Sequence, residues 1–239
     1  IYMRGISTTQ RGISLINNNF VLVSATTSAT FEGTGATGVY LAVGLSAPLI
    51  TVDGTAINVG AGVEIYRKFG TAQMIDITGR GPNVDFSVGV NLGFGLVGAD
   101  ACNILGIAGT GSRTAGVSST LNNLPMPFSI TNTVVVTGIN YNTDPDSSAI
   151  RLPYFAGLGA DLTMTADVVD QTGIGISITR VEDFAAVRME TNGGSVYGIS
   201  ATDFLDCDSV TMIANTNGDG ASVFMNSIVV TNDIDIDIT

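Results

Sequence analysis

The chain has 239 residues, of which 45% are hydrophobic and only 13% charged, so it can fill a large core and does not have the composition of a disordered segment. Its net charge of −12 and its single lysine, Lys68, exclude nucleic-acid binding through phosphate contacts and binding to an anionic membrane surface. It contains no histidine, which removes Ser-His-Asp and Cys-His nucleophile systems and, with only two cysteines, ordinary zinc sites.

Residues 1–38 are rich in Ser, Thr, Asn and Gly and align with no later repeat, so they are expected to form an N-terminal cap or arm, with a β-helix-like domain over 39–239. The opening Ile1-Tyr2-Met3 reads as a processed end, and no signal peptide is expected. The charge-free run Gly33 to Val52 is the best membrane candidate. It is interrupted by Gly35, Gly38, Gly44 and Pro48, so no span is predicted.

Short β-branched runs then recur. VYLAVG at Val39, VEIYRKFG at Val63 and VNLGFG at Val90 lie 24 and 27 residues apart. ITV at Ile50, IDIT at Ile75 and NILGI at Asn103 follow at spacings of 25 and 28. Arg67-Lys68, which holds the only candidate Schiff-base amine, reads as a solvated turn. Gly93–Gly98 (GFGLVG) matches G-x-G-x-x-G. A dinucleotide site would need a helix after it and an acidic residue ~20 positions on, where Arg113 stands instead. Cys102 and Cys207 are expected as small buried residues, with a single disulfide between them as the alternative.

The later half repeats more clearly. Ile176–Met189 and Ile199–Met212 share six identities in fourteen ungapped positions, including Asp183 with Asp206, Val187 with Val210 and Met189 with Met212. Leu162-Thr163-Met164 precedes this pair by a further 25 residues, and Ser195-Val196-Tyr197 is echoed 27 residues on by Ser222-Val223-Phe224. No segment carries a convincing helical stripe. The tail alternates from Asp233 to Ile238, isoleucines on one side and aspartates on the other, and reads as a last strand or one that pairs with another chain.

A short strand cannot bury its apolar face alone. Stacking equivalent rungs buries it, with Val over Val and Met over Met. The expected fold is therefore all-β, a parallel β-helix with rungs of about 25 residues, and the alternative is an antiparallel β-sandwich or jelly roll. Four acidic groups merit scrutiny. Asp203, Asp206 and Asp208, with Asp183 one rung earlier, read first as turn residues and second as a carbohydrate, calcium or catalytic patch. Asp144-Pro145-Asp146 and Asn217-Gly218-Asp219-Gly220 are loop-like but lack calcium-loop spacing. Asp233, Asp235 and Asp237 would repel one another without a cation. No catalytic, cofactor or metal residue is assigned, and calcium is the one cofactor left open.

Over roughly residues 39 to 239 these rungs, with their Val, Ile and Met columns, resemble the parallel β-helices of phage tailspikes and fibres, and pectate-lyase-like enzymes share that coil. The first resemblance implies a virion or other extracellular structural or attachment protein, assembled as a homotrimer and with other assembly proteins, and the missing histidine, the single lysine and the lack of a catalytic motif lead to the expectation of no enzymatic activity. The second implies a polysaccharide-binding or -degrading protein. Pectinase-like relatives rely on Asp groups with Gly-His-Gly, or on calcium with Arg and Lys, and this chain lacks the histidine and nearly all the lysine. A bacterial adhesin is a further alternative. A sugar- or ice-binding solenoid would need regular outward Thr-x-Thr ladders, and Thr163-Met164-Thr165 is not repeated in the rungs that follow.

Overall fold

The structure, a computed structural model, describes residues 1–22, 28–66, 72–93, 97–119, 126–127, 129–142, 144–169, 172–194, 196–216 and 221–238. Among them the chain is all-β, a β-solenoid of about 8 turns with about 25 residues per turn. Its strands are β1 (Tyr2–Ile6), β2 (Ile13–Leu22), β3 (Ala29–Gly35), β4 (Val39–Ser46), β5 (Leu49–Ala56), β6 (Ala61–Ile65), β7 (Ala72–Arg80) and β8 (Val88–Leu92). They continue with β9 (Val97–Ile107), β10 (Ala115–Ser118), β11 (Met126–Pro127), β12 (Ser129–Asn140), β13 (Ser148–Val168), β14 (Ile174–Asn192), β15 (Tyr197–Asn215) and β16 (Ala221–Ile238). Gly33–Val52, the membrane candidate, is the end of β3, β4 and the start of β5.

Every pairing is parallel and joins a strand to its equivalent in a neighbouring coil. One stack runs β1-β3-β5-β7-β9-β12 and the other β2-β4-β6-β8-β10. β13 pairs with both β10 and β12, so the two stacks merge in it, and β14, β15 and β16 follow as single strands that bend around corners. β1, β2 and β3, which fall in the expected cap or arm over 1–38, are laid in register in this same sheet.

Alternation decides which residues enter the core. In β3 the buried residues Ala29, Phe31, Gly33 and Gly35 alternate with partly exposed Thr30, Glu32 and Thr34. The parallel register then aligns inward residues into columns. One column runs Phe31, Val52, Ile77, Ile104, Val136, Met164, Met189, Met212, each essentially fully buried. Each such side chain contributes about 1.5–3 kcal/mol by leaving water. The expected alignments Val39–Val63–Val90, Val187–Val210 and Met189–Met212 are registered pairs.

Two expected spacings are one to three residues out. Ile75 pairs with Cys102, not Asn103, and the shift matters because a one-residue slip exchanges inside for outside. Tyr197 pairs with Ala221, not Phe224, so that interval is 24. The look-alike side chains Tyr197 and Phe224 still touch as a tilted aromatic pair with ring centroids 6.0 Å apart, but diagonally.

At one edge the two stacks nearly meet, backbone to backbone. Gly5, Gly33, Gly54, Gly79, Gly106 and Gly138 form one column, facing a second that contains Gly12, Gly38, Gly62, Gly89 and Gly116. A Cβ on Gly54 would lie 2.0 Å from the carbonyl oxygen of Gly62, and one on Gly79 would lie 2.0 Å from that of Gly89. No side chain fits there.

Candidate functional site

In the last coils the strand bends at one position per coil, and the residues there are Gly159, Asp183 and Asp206, with φ of 74°, 59° and 52°. This left-handed conformation disfavours most side chains and is tolerated by Gly, Asn and Asp. The matched aspartates of the repeat are thus corner residues of successive coils, the first of the two readings given them above.

The corner also forms an open cleft of about 460 Å³, lined by Leu158, Gly159, Asp183, Phe184, Asp206 and Asp208 among others. The carboxyl of Asp183 is held above the ordinary carboxylate range, chiefly by loss of hydration and then by repulsion from Glu182 and Asp206, against the attraction of Arg180. Arg180 pairs with Glu182 at 2.8 Å and lies over the Tyr154 ring, 5.0 Å from its centroid. The Tyr154 hydroxyl in turn donates to Glu182. Asp203 sits next to Arg180 in the ladder and takes no part in the cleft lining described above. Three carboxylates with an aromatic ring nearby can accept hydrogen bonds from sugar hydroxyls. Among the described residues no group of three or more His, Cys, Asp or Glu is disposed to hold a metal ion.

The other candidates fall into structural roles. Gly93–Gly98 links β8 to β9, strand to strand, where a dinucleotide motif needs a helix, and residues 94–96 lie outside the described residues. Asp144 accepts a hydrogen bond from the Asp146 N–H at 2.9 Å, and Asp146 pairs with Arg113 at 3.5 Å, so this loop is held by its own acids. Lys68 and Asn217–Gly220 lie outside the described residues. Cys102 and Cys207 are both buried and are not joined in a disulfide, and burial pushes both thiols up. Asp233, Asp235 and Asp237 are exposed along β16.

Two features escaped the sequence reading. A buried polar knot joins Thr114, Asn140, Asn142 and Ser147 across neighbouring coils, with Asn142 donating to Ser147 at 2.9 Å and Thr114 to Asn140 at 3.2 Å. A shallow groove near β1, lined by Arg4, Glu32, Thr34, Asp53 and Thr55, carries outward threonines in register: Thr30 over Thr51 and Thr34 over Thr55. The pattern Thr-x-Glu-x-Thr over Thr-x-Asp-x-Thr was its signal. It ends at the next coil, where Asp76, Thr78 and Arg80 follow and Arg80 pairs with Asp53 at 2.6 Å.

No family model matches this sequence, and neither a curated protein nor a solved structure shows a significant match to it.

Proposed function

We propose that the chain is a structural or attachment component of an extracellular assembly of the virion type, a fibre, spike or capsid-associated protein that acts through homo-oligomeric packing. The observation that carries this reading is the stack of about 8 coils, all in one parallel sheet, with no helix among the described residues. Such a stack is a stiff rod on the order of 40 Å long at the ~4.8 Å spacing of paired strands. Its sides are poor in charge and rich in Thr, Ser and Asn, a surface that packs against copies of itself without burying many ions. Coils laid side by side as a homotrimer are the arrangement this reading favours. It predicts a native mass of three copies, or of a larger particle, in light scattering. A strictly monomeric chain at every concentration would sink it.

The acidic cleft at Asp183, Asp206 and Asp208 favours one other reading, a polysaccharide-binding or -degrading solenoid. That reading predicts release of reducing ends from a neutral or acidic polysaccharide, or retention on it, lost in Asp206→Asn. Asparagine keeps the left-handed corner, so the variant tests the charge alone.

A further inference from the structure

Resting on the homotrimer proposed above, we infer that the copies meet along one edge of the solenoid, where the turns of three chains converge on a common axis with Phe86 at the centre of the contact. The turns from β5 to β6, β7 to β8, β9 to β10 and β12 to β13 project from the edge that the facing glycines pinch together. At successive heights they carry exposed apolar side chains: Ile57 at 41%, Val59 at 61%, Phe86 at 66% and Tyr141 at 40%. A single exposed apolar residue is ordinary, but a row of them along one edge marks a contact.

Phe86, the most exposed of the row, is also strained. Its φ is 60°, a left-handed conformation that a bulky side chain adopts rarely and at a cost. Bonds to the next turn fix it there. The Phe86 N–H donates to the Ser112 carbonyl at 2.8 Å, the Ser112 N–H to the Asp85 carboxylate at 2.8 Å and the Thr110 N–H to Asn83 at 3.2 Å. Arg113, at the same position one coil on, is left-handed too, with φ of 54°, and its guanidinium lies 5.8 Å from the Phe86 ring centroid. Two successive turns thus hold a large ring out in water, where little within one copy offsets the strain. Burial of the ring by a partner would offset it, as for a buried aromatic anchor.

Charge selects a second copy as that partner. The chain carries −12 overall, so most of its faces repel another copy. The turns 57–60, 81–87 and 108–114 hold one acid, Asp85, and one base, Arg113, and no other charge. Copies can therefore approach along this edge without net repulsion. Three-fold packing about an axis along the rod sets equal heights side by side, so Val59 meets Val59 and Phe86 meets Phe86. Arg113 of one copy then stands one coil, about 4.8 Å in height, from Asp85 of its neighbours.

Sedimentation equilibrium of the 239-residue chain and its variants tests this. Phe86→Asp and Val59→Asp should each raise the concentration at which the trimer half-dissociates by about tenfold or more. Phe86→Asn should do so without adding charge. Asparagine and aspartate tolerate the left-handed backbone better than phenylalanine, so both Phe86 variants should melt no lower than the parent under conditions where all are monomeric. Ile16→Asp, on the outer face of β2 and 68% exposed in the parent, should leave the trimer as tight as before. A trimer that the Phe86 and Val59 variants leave unchanged, or that Ile16→Asp weakens equally, overturns the inference while the proposed function stands. A parent chain that is monomeric at every concentration overturns both.

Discussion

From β1 to β10 each coil closes on two facing glycines and at β12 Gly138 faces Ala149, whereas from β13 to β15 the same register position holds Ala166, Thr191 and Ala214. The earlier coils split into two short strands and bring the two backbones to near contact at one edge. The later coils run as strands of 18 to 21 residues in β13, β14, β15 and β16, with a left-handed corner residue in each of β13, β14 and β15, and bury Phe155, Phe184 and Phe204 in their core. The knot of Thr114, Asn140, Asn142 and Ser147 lies where one section gives way to the other. The same period therefore supports two cross-sections, one limited by how closely backbones approach and one by side-chain volume.

The largest effect that would test this difference is expected from the side-chain-filled half. Met189→Ala empties a position buried between Met164 and Met212, and should cost about 2–5 kcal/mol in chemical denaturation. A loss well below 1 kcal/mol would mean that the coils collapse around the cavity. Gly79→Ala comes next, at about 1–3 kcal/mol, because the new methyl meets the Gly89 carbonyl oxygen and only backbone movement relieves it. The mirror-image change, Ala166→Gly, should cost about 0.5–1 kcal/mol through chain entropy and lost packing. Were it to stabilise the chain, the distinction between the two halves would fail.

The smallest effect depends on pH. Because the Asp183 carboxyl is held above the ordinary carboxylate range, at pH between the two values the folded chain keeps a proton that the unfolded chain has already lost. Stability from this group is therefore full below the unfolded value and falls as pH rises through the raised folded one. Asp183→Asn keeps the corner and removes the repulsion, so its melting temperature should exceed the parent's at neutral pH and converge with it in acid. An equal difference at both pH values would assign the effect to something other than this titration.

Much of the later half was legible from side chains. Val187, Val210, Met189 and Met212 announce their stacking because large apolar residues recur at one interval on an alternating strand. The earlier half carried an equally regular signal in a less conspicuous form. A glycine directly precedes the inward valine in Gly38-Val39, Gly62-Val63, Gly89-Val90 and Gly116-Val117, and Gly175-Ile176 and Gly198-Ile199 continue the series. Glycine is common in turns of every fold, so its recurrence conveys little until the facing column is known. The corner aspartates were found because Asp favours turns; that the turn is a left-handed corner came only with the backbone angles. Their convergence with Leu158 and Phe184 in one cleft was not readable, since it requires three coils at once.

The sequence alone determined that this chain alternates inside and outside along short strands, and that about 25 residues separate equivalent positions. Both are local properties, fixed by the two-residue period of an extended chain and by the spacing of its turns. Only the tertiary structure decided which column faces which, and where the facing glycines give way to coils that run as single long strands. Those depend on contacts between residues a full coil or more apart, and in a parallel stack such contacts exist only once the register of every intervening coil has been set.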